Sequence, residues 1–160
     1  MERNAQYERL STLIRDFHAL FEEITQGCLT RECQTFGLRE PLCVGDYQFL
    51  ALVEKRGSLS MAQAARELRI NPSSATRQVN RLLHCGLITK SAVPDDDRKF
   101  SIQTTPLGTT FLNRLYVSLS EVSHALLGQV SDEDLQTVCD FLEARITVLH
   151  SIQQDMHHSF

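Results

Sequence analysis

Residues 58–105 read SLSMAQAARELRINPSSATRQVNRLLHCGLITKSAVPDDDRKFSIQTT, and the fold is decided there. Residues 60–68 form a first short helix, Arg69-Ile70-Asn71 a tight link, and a second helix runs from Pro72 to about Cys85. Asn71 is suited to cap that second helix, because its side-chain oxygen can accept from the unpaired N–H groups of the first turn; Pro72 suits the first helical position. Ala65, Leu68 and Ile70, then Ala75, Val79, Leu82 and Leu83, recur at helical spacing and are expected to share one small core. The other face of the second helix carries Ser73, Ser74, Thr76, Arg77, Asn80 and Arg81, with no acid among them. Short polar groups let a backbone approach a DNA major groove, and arginine reaches base edges or phosphates.

After Gly86, a helix stop, residues 87–91 and 100–104 alternate with period two and read as strands. Between them lies the charged run Ala92-Val93-Pro94-Asp95-Asp96-Asp97-Arg98-Lys99, too long for a two-residue turn. Helix, turn, helix and hairpin in this order make a winged helix-turn-helix. The residues Leu59-Ser60, Ala65, Leu68, Asn71-Pro72-Ser73, Thr76-Arg77, Leu82, Gly86-Leu87-Ile88, Asp96-Asp97-Arg98 and Thr105-Pro106-Leu107-Gly108 resemble the MarR (multiple antibiotic resistance regulator) family. The match is densest over residues 58–108, about a third of the chain. Ala64 and Ala75 stand where larger aliphatics are common in that family, and Thr104 stands where Leu is usual.

Charge is segregated along the chain. The net charge is −4, yet residues 56–99 hold eight cations (Arg56, Arg66, Arg69, Arg77, Arg81, Lys90, Arg98, Lys99) against four acids, a local +4. The remainder carries eight cations and sixteen acids, a net −8. A basic reading lobe on an acidic body suits a nucleic-acid partner. The length suits one folded unit over residues 1–160. Lacking a long apolar run or a basic-then-apolar leader, the chain is expected to be cytoplasmic with no membrane partner.

The flanks are apolar on one side. From Tyr7, Leu10, Leu13, Ile14, Phe17, Phe21 and Ile24 form a helical stripe ending near Gln26. Thr105 caps a helix opened by Pro106, whose stripe is Leu107, Phe111, Leu115, Leu119, Val122 and Leu126. Ser131 with Asp134 resembles a capping box before Leu135, Val138, Leu142, Leu149, Ile152 and Met156. The expected fold is mainly α (α+β): a winged helix-turn-helix lobe over residues 46–105, flanked by dimerisation helices over 5–30 and 106–156. The resemblance implies that two chains interlock through these helices and hold two half-sites of a pseudo-palindromic operator in double-stranded DNA. On this reading the DNA-binding set is Ser60, Asn71, Ser73, Ser74, Thr76, Arg77, Asn80, Arg81 (on phosphate or base edges), Asp96, Arg98 and Lys99. Asp96 orients the Arg98 guanidinium towards the minor groove. The resemblance also implies a repressor released by a small aromatic or anionic effector, for which Phe17, Phe21 and Tyr47 are lining candidates that equally fit core positions.

Other chemistry finds little support. There is no glycine-rich phosphate loop, nucleophile elbow or acid–base pair at helical spacing, so no enzyme, catalytic residue or cofactor is expected. Of the five cysteines, Cys28, Cys33 and Cys43 are placed in or near the loop between the first two helices, Cys85 at the end of the recognition helix, and Cys139 on the last helix. Cys28 and Cys33 lack common zinc spacing, and His157-His158 reads as a solvated tail, so no metal site is assigned. Redox or metal sensing on the same fold, or a winged helix serving as a protein-interaction module, are the alternative readings.

Overall fold

The computed structural model describes the backbone of residues 2–93 and 96–158 and the side chains of residues 3–92 and 100–152. In chain order the elements are α1 (Glu2–Thr35), α2 (Val44–Arg56), β1 (Leu59–Ser60), α3 (Met61–Leu68), α4 (Pro72–His84), β2 (Ile88–Val93), β3 (Asp96–Thr104), α5 (Pro106–Leu127) and α6 (Asp132–His158). The fold is the mainly helical winged helix-turn-helix that the sequence predicts. The strands form one antiparallel sheet in the order β1-β3-β2, with Leu59 opposite Ile102 and Ile88 opposite Thr104. Chain contacts define two units, residues 1–119 and 120–160.

In the first unit the core lies where α2, α4, β1 and β3 meet. Phe49, Leu50, Val53, Leu59, Ala64, Ala75, Val79, Leu82, Leu87 and Ile102 are all buried. Ala64, rather than Ala65, takes the fully buried place on α3, while Ala65, Leu68, Ile70 and Leu83 are only half-buried. The capping box sets this phase: Ser60 Oγ accepts from Gln63 N (3.2 Å) and Gln63 Oε1 accepts from Ser60 N (2.9 Å), so α3 begins at Met61. Small side chains at Ala64 and Ala75 let the two helices of the motif sit close to their neighbours.

Three boundaries differ from the sequence expectation. Helix α1 runs on to Thr35, so Cys28 and Cys33 lie on it, buried, and not in a loop. Its last turns bury Leu29, Glu32 and Cys33, a face hidden from periodicity by its acid and thiols. Helix α2 was not foreseen. Its N-cap is Cys43, not a usual capping residue, and Gly45, Tyr47 and Phe49 near its start are poor helix formers. Both strands run farther into the charged stretch than its composition suggests, since β2 reaches Val93 and β3 starts at Asp96.

Thr105 and Gly108 join the wing to α5. Thr105 Oγ1 donates to Gly86 O (2.7 Å) and accepts from Gly108 N (3.1 Å), while Thr105 N donates to Leu87 O (3.0 Å). A side chain at Gly108 would place its Cβ 2.1 Å from Leu87 O, so the motif's glycine is a packing requirement. Farther along α5, Phe111 meets Phe36 edge-on at 5.3 Å, and Ser118 Oγ donates to the buried Glu32 (2.8 Å).

On α1, Tyr7, Leu10, Leu13, Ile14, Phe17, Leu20, Phe21 and Ile24 remain 42–59% exposed. In the second unit, α6 starts after Ser131, whose hydroxyl accepts from Asp134 N (3.1 Å) and donates to Asp134 Oδ2 (2.7 Å), a one-sided version of the expected capping box. Its Val138, Phe141, Leu142, Ile146, Val148, Leu149 and Ile152 are 45–61% exposed. Among the described residues no helix is long and apolar enough to cross a membrane.

Gly108→Ala is expected to destabilise the protein by about 3 kcal/mol, because the clash is with backbone rather than a movable side chain. Urea unfolding followed by circular dichroism measures this, and a loss below about 1 kcal/mol would show that the α5 entry can shift.

Candidate nucleic-acid interface

The candidate surface lies on α4, whose start is fixed by one side chain. Asn71 Oδ1 accepts from both Ser74 N (2.8 Å) and Ser73 Oγ (2.7 Å), with Pro72 at the first helical position. Just before it, Arg69 takes the left-handed conformation (φ 54°) that closes α3, and Ile70 N bonds to Ala65 O (3.0 Å). This turn is normally glycine's, so an arginine there costs about 1 kcal/mol of local strain.

Along the outward side of α4, Ser73, Thr76, Arg77 and Asn80 are exposed and Ser74 is half-buried. Several of their polar groups are held in place. Thr76 Oγ1 donates to Pro72 O (2.9 Å), and Arg77 Nη2 donates to Ser74 Oγ (3.3 Å). The face is thus a pre-ordered floor of small hydroxyls from which Arg77 and Asn80 project. Ser60 and Asn71, both placed in the DNA-binding set by sequence, serve here as helix caps.

Arg81 departs from its expected place on phosphate or base edges. It is half-buried, and its Nη1 donates to Asp46 Oδ2 (2.6 Å) and approaches Cys43 Sγ (3.7 Å). Asp46 is fully buried on the first turn of α2 and also accepts from Cys43 N (2.8 Å). The carboxylate raises the Arg81 pKa further, keeping it charged. Below it, His84 Nδ1 lies 2.5 Å from Glu40 Oε1, and Cys85 Sγ is 3.8 Å from Glu40 O. The C-terminal half of α4 is therefore fastened to α2 and to the connection preceding it. Arg56 is likewise held by Glu67, Nη2 to Oε2 at 2.8 Å. Glu67 is already subtracted in the local +4, whereas Asp46 lies outside residues 56–99, so the Arg81 pair lowers the charge the lobe presents below that count.

At the wing, Lys90 Nζ sits 3.8 Å over the Phe100 ring, and the hydroxyls of Ser58 and Ser101 are 2.5 Å apart. Asp96, Arg98 and Lys99 lie on β3, but their side chains fall outside the described residues.

The effector candidates do not converge. Phe17 and Phe21 stack on each other at 6.0 Å on exposed α1, whereas Tyr47 meets Tyr116 edge-on at 6.3 Å. Burial raises the Tyr47 phenol pKa. None of the three lines the cleft of about 480 Å³ between α1 and the start of α2, which is bounded by Ala19, Glu22, Glu23, Gln26, Cys43, Val44 and Gly45. Gln26 anchors it, donating to Leu42 O (2.9 Å) and accepting from Val44 N (3.2 Å). Asp46 and Glu40, which hold α4, escaped the sequence reading. An Asp three residues after Cys43 was the only signal, and it carries weight only once α2 is known. Among the described residues no group of three or more His, Cys, Asp or Glu is placed to hold a metal ion.

A family model described as the MarR family matches residues 44–99. The chain is 28% identical over 96 residues to the HTH-type transcriptional regulator PecS of Dickeya dadantii, an alignment covering 58% of this chain and 58% of that relative. The chain thus spans less than two thirds of that relative's length. Its fold resembles a MarR family protein from Bacillus stearothermophilus (TM-score 0.76, 17% identity, 92% of this chain and 97% of that one). It also resembles Streptococcus pneumoniae FabT in complex with DNA (TM-score 0.74, 16% identity, 91% and 99%).

The thiols beside this interface should differ in reactivity. Cys43 is exposed, whereas Cys33 and Cys85 are buried and their pKa values are raised, chiefly by desolvation. A raised pKa leaves both as unreactive thiols at neutral pH, and their thiolates form only above the ordinary thiol range. Iodoacetamide labelling at pH 7 read by peptide mass spectrometry should modify Cys43 at least tenfold faster than Cys33 or Cys85. Equal rates would contradict this placement.

Proposed function

We propose that this chain is a member of the MarR family and a homodimeric DNA-binding transcriptional regulator acting in the cytoplasm, a reading supported by the family model over residues 44–99 and by the similarity to PecS. The observation that carries the reading is the outward face of α4, an acid-free surface of ordered hydroxyls bearing Arg77 and Asn80. In the major groove such a face admits close backbone approach. Arg77 donates two hydrogen bonds to a guanine edge, Asn80 pairs with adenine, and Ser73, Ser74 and Thr76 supply short contacts.

A single copy offers too few contacts for useful affinity, and two copies related by a two-fold axis double them. The apolar stripes left exposed on α1 and α6 supply the area for that association. Two α4 helices then enter successive major grooves about 34 Å apart and read a pseudo-palindrome. Arg98, oriented by Asp96 and followed by Lys99, reaches the flanking minor groove, where narrow A·T-rich segments concentrate negative potential.

Regulation follows from position. The cleft between α1 and α2 borders the segment Cys43–Asp46 that holds Arg81, so a small molecule seated there shifts the support of α4. In this reading the protein is a repressor, and the effector releases it from its operator.

DNA selected from a randomised duplex pool by the wild-type protein provides the test. Arg77→Ala is expected to weaken the selected duplex by roughly 1–3 kcal/mol and relax preference at one base pair per half-site. Arg98→Ala is expected to weaken selected and unrelated A·T-rich duplexes together, keeping the sequence preference. Failure of the wild-type protein to enrich any sequence would contradict the proposal, as would an unchanged preference in Arg77→Ala.

A further inference from the structure

We propose that Asp46 is a positioning residue for DNA recognition: it holds the Arg81 guanidinium on α2, keeping that cation off the phosphates and fixing how α4 is presented. The inference rests on the DNA-binding reading above and assigns a role to a residue outside the reading face.

Arg81 lies four residues after Arg77 on the reading helix, within reach of a DNA backbone were it free. It is not free. Its Nη1 is 2.6 Å from Asp46 Oδ2, and Asp46 is fully buried and fixed from the other side by Cys43 N at 2.8 Å. The second carboxylate oxygen, Oδ1, has no hydrogen-bond partner. Arg81 is therefore the cation that compensates this charge, and moving it to a phosphate would leave a buried carboxylate unpaired. Removing one member of such a pair is far costlier than the modest gain of one exposed phosphate contact. The end of the Gln78 side chain from α4 also lies against α2 here, with Nε2 2.7 Å from where a Cβ at Gly45 would stand. Together these contacts set the rotation of α4 about its own axis, which decides whether Arg77 and Asn80 face base edges.

The consequence is selectivity. A phosphate contact adds affinity for every sequence alike, whereas base-edge contacts add it for one. Tying Arg81 back gives up non-specific affinity and keeps the balance with Arg77 and Asn80.

Binding of the pool-selected duplex and of a random-sequence duplex, titrated across salt by fluorescence anisotropy, tests this. Asp46→Asn keeps the shape and removes the charge. It should tighten random-sequence binding, steepen its log–log salt slope by about 0.9 per protomer, and lower the preference for the selected duplex at least fivefold. The double variant Asp46→Asn/Arg81→Gln should return the random-sequence slope to the wild-type value. Weakening of both duplexes together in Asp46→Asn with unchanged slopes would overturn the proposal and mark Asp46 as structural only. A double-variant slope shallower than wild type would overturn it too, by showing that Arg81 contacts phosphates in the native protein. Should a variant fail to fold, phenylglyoxal labelling of the wild-type protein decides: Arg81 is expected to react much more slowly than Arg77, and reaction at Arg77's rate overturns the proposal. If the wild-type protein selects no sequence at all, the DNA-binding reading fails before this one is reached.

Discussion

A single buried carboxylate, Asp46, organises the winged-helix lobe. It caps the start of α2 through Cys43 N, and it receives Arg81 from α4. Two helices distant in sequence are joined by an ion pair from which water is excluded on the acid's side. Pairs of this kind contribute little net stability against an apolar substitute, but breaking one by removing a partner costs about 3–5 kcal/mol. That asymmetry makes the geometry specific, because alternative placements of α4 leave a charge stranded. The rest of the lobe is arranged around this contact. The His84–Glu40 pair fastens the next turn of α4, Asn71 orders its first turn, and Phe49, Leu50, Val79 and Leu82 fill the space between.

The parts of this architecture legible in the sequence are those governed by local rules. Asn71-Pro72 announces a helix start because capping chemistry acts within three residues, and Thr105-Pro106-Leu107-Gly108 announces another for the same reason. Alternation revealed β2 and β3, although their ends near Val93 and Asp96 lay hidden in a charged run whose composition resembles a loop. Where long-range contacts decide, the sequence was silent. Helix α2 begins with Cys43, Val44 and Gly45, residues that signal nothing locally, and its N-terminus is stabilised by Asp46 and by Gln26 from α1. The two-residue β1 exists only because Leu59 and Ser60 meet Ile102 and Ser101. Arg81 looked like a reader because its spacing places it beside Arg77; its partner is 35 residues away.

The same distinction governs the electrostatics. Counting charges correctly found that the lobe is more basic than the body, but pairing is a tertiary property. Glu67, already in the count, holds Arg56, and Asp46 from outside the counted stretch holds Arg81, so fewer than the eight cations of that stretch are left unpaired. Fewer mobile cations and more fixed polar groups favour recognition of sequence over recognition of charge. The apolar stripes of α1 and α6 point to the other half of the design. Side chains such as Phe17, Leu20, Phe141 and Leu149 are about half exposed in the single chain, the apolar area that the proposed association with a second copy would cover.

If two copies read DNA about a two-fold axis, the stoichiometry of the complex reports it. Sedimentation of the protein with a duplex selected from a randomised pool, at concentrations well above the dissociation constant, gives the mass of the complex. Two chains per duplex are expected, formed from a protein that is already dimeric without DNA. A complex containing one chain, or a free protein sedimenting as a single 18.2 kDa chain with its helices intact, would contradict two-fold reading.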